Sequence, residues 1–284
     1  MTPVLLSSSI SFSDSQFKRV ADFIQKNVGI KMPTEKKIMV QSRLSNRLKA
    51  LNYSNFEDYL NFVFSPTPEG QAEIPLMINQ ITTNLTNFFR ENQHFEYMTD
   101  FVLPELARKN IKKVELWSAG CSSGQEPYTL SIVMQEFIKK NPSAIKDYSI
   151  LATDISSKVL GKAISAVYPL SEVDSLSYEL KKQYFLKSKD ISNPQVRVKQ
   201  KTREKVSFAR LNFMDEYYSE IKKKHIIFCR NVLIYFDKET QKKVVKKLLN
   251  HLETGGYLFL GHSETIFGMD LPLKTVAPTT FQKL

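Results

Sequence analysis

Val114-Glu115-Leu116-Trp117-Ser118-Ala119-Gly120-Cys121-Ser122-Ser123-Gly124-Gln125-Glu126-Pro127-Tyr128 is the stretch on which the architecture turns. Its apolar run ends abruptly at small residues. Beyond Pro127 the apolar positions Leu130, Ile132, Val133, Phe137 and Ile138 recur at helical spacing. Strand, tight turn and helix in that order predict the first unit of an open α/β sheet, whose ligands bind at the carboxyl ends of the strands. Gly120 and Gly124 can take positive φ and let a ligand approach the backbone. No Lys follows the second glycine, as a phosphate loop would require, and the spacing is not G-x-G-x-x-G. Glu126 would repel a pyrophosphate and attract an ammonium. A nucleoside with a positive amino-acid end, such as S-adenosylmethionine, fits. Taken alone, the turn suits a plain strand-to-helix connection equally well.

The chain has 284 residues, enough for about two domains, and 42% of them are hydrophobic, enough for a sizeable core. A net charge of +11 suits an acidic partner. Cys121 and Cys229 are the only cysteines and no CxxC occurs, which argues against a disulfide framework or a zinc site. Both thiols are expected to be reduced. No apolar run approaches the ~18 residues of a membrane span. The opening, Met1 to Ile10, lacks a basic leader and a long apolar core, so a cytoplasmic location is expected.

Residues 1–12 read as loose. Helical spacing then places Phe17, Val20, Ala21, Ile24 and Val28 on one helix ended by Gly29. A second helix spans 35–51, with Lys36, Arg43 and Arg47 on one face. That face is either plain solvated surface or a docking stripe. Asn55 opens a third helix, residues 65–70 read as a loop, and a fourth helix runs 72–81. This gives an all-α N-terminal domain over 13–82. A connector over 83–110 carries Asn84-Leu85-Thr86-Asn87-Phe88-Phe89-Arg90-Glu91 and a helix from Gln93 to Lys109.

Strands and helices alternate over 111–284. Ile150 to Asp154 reads as a second buried strand, and its terminal acid is either a ribose ligand or a helix cap. Over 178–208 the pattern breaks into short strands at Tyr184–Leu186, Val196–Val198 and Val206–Phe208. Leu180 to Ser207 holds nine Lys/Arg against two Asp/Glu, which predicts an inserted antiparallel β-subdomain with a basic surface. Ile226 to Asn231 reads as a strand, 238–252 as a helix, and Tyr257 to Gly261 as a further strand.

Four motifs now coincide in order: NLTNFFRE, LWSAGCSSGQEPYTLSI, ATDIS and FCRNVLIYFD. Together, behind a helical domain, they resemble the chemotaxis receptor glutamate O-methyltransferases, the CheR family, from about Phe17 to the end. The resemblance implies an α/β fold: a Rossmann-like S-adenosylmethionine methyltransferase domain with a small inserted antiparallel β-subdomain, preceded by an all-α N-terminal domain. It implies methyl-ester formation on glutamates of chemoreceptor cytoplasmic helices. Carried over by motif, the cofactor-binding residues are Asn84, Thr86, Arg90, Gly120, Glu126, Asp154, Asn212, Phe213, Arg230 and Asn231. Arg90 would orient the carboxylate and Tyr235 would lie beside the sulfonium. Lys36, Arg43 and Arg47 would dock the receptor.

A glutamate is already ionised at neutral pH, so no general base is needed and none of the four histidines is assigned one. A metal, a nucleic-acid partner and membrane insertion are not expected, and a monomer is. The alternatives are a nucleic-acid methyltransferase and a non-catalytic cofactor-binding signalling module. In part of the family the β-subdomain takes a receptor C-terminal pentapeptide as an added strand, with glycines in the first loop. Here that loop, 186–195, has no Gly and contains Pro194, so the tether is expected to be absent.

Overall fold

The computed structural model describes residues 10–284. Residues 1–9 of the segment expected to be loose lie outside that range. Phe12 is not loose: it is buried, its ring 4.5 Å from that of Phe56. The chain divides into two compact units, Met1–Thr83 and Asn84–Leu284.

The first unit is four helices: α1 Asp14–Val28, α2 Lys37–Ala50, α3 Phe56–Val63 and α4 Pro68–Ile81. Ser13 and Gln16 form a capping box at the start of α1, and Gly29 closes it at φ 79°. Asn55 caps α3 by accepting from Asp58 N. The segment read as a loop before residue 72 is helical from Pro68. Thr67 caps it through Gly70 N, and proline at the first helical position has no N–H to lose.

The α2 arginines of the expected docking stripe also make internal ties. Arg47 gives a bidentate pair to the buried Glu73, Nε and Nη2 each 2.7 Å from a carboxylate oxygen, and Tyr59 Oη adds a third hydrogen bond. Arg43 Nη1 donates to Ile81 O at 2.6 Å, a cation on the carboxyl end of α4. Both side chains therefore pin α2 to α4; Arg47 is charge-matched by Glu73, while Arg43 meets only neutral oxygens and keeps its charge. Removing one member of a buried pair costs about 3–5 kcal/mol, and Arg47 is partly wetted, so Glu73→Ala should destabilise the helical unit by about 3 kcal/mol. Urea unfolding followed by helical circular dichroism measures this. A change below about 1 kcal/mol would mean the pair behaves like a surface one.

The second unit begins with the helices α5 Gln93–Tyr97 and α6 Leu103–Arg108, joined by a π turn over Met98–Val102. One continuous helix was expected. Pro104 has no N–H for Asp100, and the ladder before it widens, Leu103 N reaching Met98 O. Then follow β1 Lys113–Ala119, α7 Gln125–Lys140, β2 Asp147–Asp154, α8 Ser157–Ser165, β3 Val167–Pro169, α9 Tyr178–Tyr184, β4 Phe185–Lys187, β5 Gln195–Val198, α10 Gln200–Arg203, β6 Val206–Arg210, β7 Lys224–Cys229, α11 Lys238–Asn250, β8 Leu252–Leu260, β9 Leu273–Ala277 and β10 Thr280–Lys283.

The main sheet has seven strands in the order β6-β2-β1-β7-β8-β10-β9. The first five are parallel, and β10 runs antiparallel to both of its neighbours, β8 and β9. β1 is the middle of the five parallel strands, and Leu116, Trp117, Ser118 and Ala119 are all buried, Ser118 the one polar residue among them, as a strand covered on both faces must be. The chain leaves β1 toward β2 and β6, then returns to β7 on the other side. The direction of winding reverses between β1 and β7, and a crevice opens there.

The three-stranded sheet has the order β3-β5-β4, antiparallel throughout. This corrects the expected membership of the insertion. Val206–Phe208 does not belong to it but pairs in parallel with β2, its Val206 and Phe208 packing beside Cys121, Ala152 and Leu160. The missing strand is Val167–Pro169, only three residues long and ended by proline, too short to show a period. Both cysteines are free and buried.

Candidate functional site

The turn after β1 is built around two glycines that cannot be replaced. Gly120 has φ +88°, and a Cβ there would stand 2.4 Å from Val232 Cγ2. Gly124 has φ +98°, and a Cβ would meet Ala163 Cβ and Tyr168 Oη at 2.9 Å. Tyr168, on β3, donates to Ser123 O. The inserted sheet therefore buttresses the turn from one side and the loop after β7 from the other.

Asp154 ends β2 inside this frame. Its Oδ2 accepts from Ser122 N at 2.8 Å and its Oδ1 from Ser156 N at 3.0 Å, while Ser156 and not Asp154 caps α8. Burial pushes the Asp154 pKa up, and the backbone N–H groups of Ser156, Ser122 and Ile155 oppose it. Each carboxylate oxygen has a second lone pair, the acceptor set that a ribose diol requires. Leu211 N donates to Asp154 O, which brings Asn212 and Phe213 beside it. The Phe213 ring stands edge-on to Phe236, centroids 6.2 Å apart, an apolar wall suited to a purine. These residues fit a nucleoside cofactor.

The connector closes the crevice. Ser122 Oγ donates to Asn84 O, Phe88 is buried against Tyr168 and Phe185, and Phe89 N donates to Thr129 Oγ1. Arg90 is half-buried and gives one N–H to Leu85 O at 2.7 Å. Asn231 Nδ2 donates to Glu91. Thr86 and Tyr235 are half-buried, Thr86 on the connector and Tyr235 at the end of a short 3-10 turn after β7.

Glu126 and Arg230 are buried partners of each other. Arg230 Nε lies 2.8 Å from Glu126 Oε2, and Ser118 Oγ satisfies the other oxygen. Arg230 Nη1 also reaches Arg90 O at 2.8 Å and His94 Nδ1 at 3.0 Å. Glu126, expected to attract an ammonium, carries its charge opposite Arg230. Glu91, His94 and His262 could by their donor atoms hold a cation. The Arg230 guanidinium already lies against the first two. Sequence reasoning also missed Glu264, buried and accepting from the backbone of Gly261, Asn231, Val232 and Leu233. An acid three residues after the glycine that ends β8 was its only signal.

The family model described as "CheR methyltransferase, SAM binding domain" matches residues 84–281, and that for "CheR methyltransferase, all-alpha domain" matches 15–82. The chain belongs to the CheR methyltransferase family. It is 37% identical to the chemotaxis protein methyltransferase of Borreliella burgdorferi over 97% of this chain and 96% of that one. It is 37% identical to that of Salmonella typhimurium, covering 93% and 88%, and 35% identical to that of Escherichia coli, covering 91% and 87%. S-adenosylmethionine is the cofactor of this CheR chain, and the Rossmann-like sheet, the inserted antiparallel sheet and the helical first unit are those the resemblance implied. Among the described residues no helix is long and apolar enough to cross a membrane.

Asp154→Ala should weaken S-adenosylhomocysteine binding by one to two charge-assisted hydrogen bonds, each about 1.5–3 kcal/mol. Calorimetry on the folded variant measures it, and unchanged affinity removes Asp154 from the site.

Burial, together with the Arg230 charge, pulls the His94 pKa down from 6.5 to about 4. The unfolded chain therefore takes up this proton first, and stability falls as pH drops from about 6.5 toward 4. At about pH 5 the loss from this residue is about 2 kcal/mol. Urea unfolding at about pH 7.5 and about pH 5 should show a larger loss in the wild type than in His94→Gln. Equal losses would show that His94 is not the group responsible.

Proposed function

We propose that this methyltransferase esterifies glutamate side chains on the cytoplasmic helices of chemoreceptors. Its curated relatives are named for chemotaxis, and the observation that carries the carboxylate substrate is the state of His94. Its two ring nitrogens face Arg230 and Thr279, and its pKa is held near 4, so it is not poised to take a proton. A carboxylate nucleophile is already ionised and asks for no base.

S-adenosylmethionine supplies an electrophilic methyl group on a sulfonium. The chain's own residues align and desolvate. Asp154 takes the ribose hydroxyls, Asn212 and Phe213 flank the adenine, and Asn84 and Thr86 close over the cofactor from the connector. Gly120 allows close approach, while Glu126 and Arg230 brace the turn beneath it, with Asn231 at its edge. Arg90 orients the incoming glutamate, and Tyr235 sets its ring or hydroxyl beside the sulfonium. Alignment of this kind is worth roughly 7–11 kcal/mol in favourable systems. Lys36, Arg43 and Arg47 form the basic face that would dock the acidic receptor helices, with Arg47 also tied to Glu73.

The edge strand β4 is three residues long, and the loop after it is fixed by Asp190, which accepts from Ser192 N and Oγ. This favours direct docking over a tether peptide.

Labelled methyl transfer to receptor cytoplasmic fragments should give base-labile methyl ester. Base-stable product, or transfer to nucleic acid only, would overturn the reading. In this assay Arg90→Ala should cut kcat at least about tenfold while S-adenosylhomocysteine affinity changes by less than about twofold. Collapse of affinity with normal turnover at saturation would make Arg90 a binding residue only. Removing the receptor's C-terminal pentapeptide should leave KM unchanged, and a raised KM would restore the tether.

A further inference from the structure

The loop after β7 carries Asn231 and Tyr235, and its one regular piece is the short 3-10 turn Leu233–Tyr235. Its backbone starts at a left-handed residue, Asn231 with φ 58°. Three successive N–H groups, those of Asn231, Val232 and Leu233, converge on one side chain from another strand end. Glu264 Oε1 accepts from Val232 N at 2.8 Å and from Leu233 N at 2.7 Å. Its Oε2 accepts from Asn231 N at 3.0 Å and from Gly261 N. Glu264 is 5% exposed. Burial pushes its pKa up, and the four N–H groups oppose that. Among the described residues its hydrogen-bond partners are all backbone N–H groups. The carboxylate is held by backbone dipoles alone, as an anion is in a backbone nest.

The contact continues into the cofactor turn. Val232, whose N–H is fixed by Glu264, fills the space in which a Gly120 Cβ would stand. Gly261 completes the arrangement from below: a Cβ there would lie 2.7 Å from Asn231 Nδ2 and 2.9 Å from Glu264 Oε2. A path of direct contacts thus runs from Glu264 through the Asn231–Leu233 backbone to Gly120. It does not pass through the Arg230–Glu126 pair.

We infer that Glu264 is a positioning residue for methyl transfer, clamping the Asn231–Tyr235 loop against the Gly120 turn so that both walls of the crevice are set before the cofactor enters. The inference deepens the proposed function and rests on the crevice being the cofactor site. Glu264 touches neither cofactor nor substrate itself. With one buried charge it replaces the three hydrogen bonds that the Asn231–Leu233 backbone would otherwise need from water, and takes a fourth from Gly261 N.

Glu264→Gln is the direct test. One oxygen is kept, but an amide NH2 now faces two N–H donors. In the full chain, exchange of the Asn231, Val232 and Leu233 amides should speed up at least about tenfold, the factor expected for one lost charge-assisted hydrogen bond. S-adenosylhomocysteine affinity and kcat should fall by a similar factor, with KM for the receptor fragment unchanged. Adding Asn231→Ala should cost much less in the variant than in the wild type. Wild-type amide protection and affinity in Glu264→Gln would overturn the inference, and so would strict additivity. Should that variant fail to fold, Val232→Ala carries the test, because it loosens the contact on Gly120 without disturbing the buried charge. It should weaken the same affinity several-fold, and wild-type affinity would overturn the inference. A wild type that forms no ester would defeat the proposed function instead, while the amide-exchange result would still decide for or against the clamp.

Discussion

A buried guanidinium sits where three segments of the second unit meet. Arg230 joins the end of β7 to the first turn of α7 through Glu126, and to the connector through Arg90 O and His94. Its planar face also lies over the rings of Phe95 and Phe228, 5.1 and 5.4 Å from their centroids. Only arginine offers divergent donors and a stackable plane in one side chain. Lysine would reach one partner and leave the others unsatisfied in a place without water. Because an unpaired buried charge is so costly, the three segments are obliged to arrive together.

That obligation explains why the crevice looks as it does. Its charged residues are largely spent on one another: Glu126 on Arg230, Glu91 on Asn231 and Arg230, Asp154 on two backbone N–H groups. What faces the ligand is shape, lone pairs and aromatic edges. Such a site does not need to move a proton. It needs to hold two reactants in line and keep water out, which suits a displacement whose nucleophile is ionised beforehand. The depressed pKa of Glu91 has the same origin, since burial would raise it and the amide of Asn231 and the charge of Arg230 outweigh that.

The fold could be read from the sequence where periods were long and buried. The run from Val114 through Ile138 announced strand, turn and helix, and α1 was legible in its apolar spacing and its Gly29 end. It failed where an element was too short to have a period, as at Val167–Pro169, or where proline altered a helix, in the first turn of α6 at Pro104 and at the first helical position of α4 at Pro68. The site was legible as a set of residue types at the ends of strands. Which of them face each other was not. Arg43 and Arg47 show this well: their spacing put them on one face, but spacing does not reveal that Glu73 and the end of α4 occupy the same side. Glu264 was invisible for the opposite reason, because its partners are backbone atoms and leave no mark on side-chain patterns.

The turn around Arg90 carries a constraint of another kind. Phe89 and Glu91 both adopt φ 54°, a conformation costing a non-glycine residue roughly 1–2 kcal/mol. Glycine at either position would remove that cost, but Phe89 would lose its ring contact with Phe95 and Glu91 its amide partner on Asn231. The segment is therefore poor in acceptable neighbours: improving its backbone damages its side chains, and the reverse holds too. A directed-evolution campaign for heat tolerance would find its gains elsewhere in the chain.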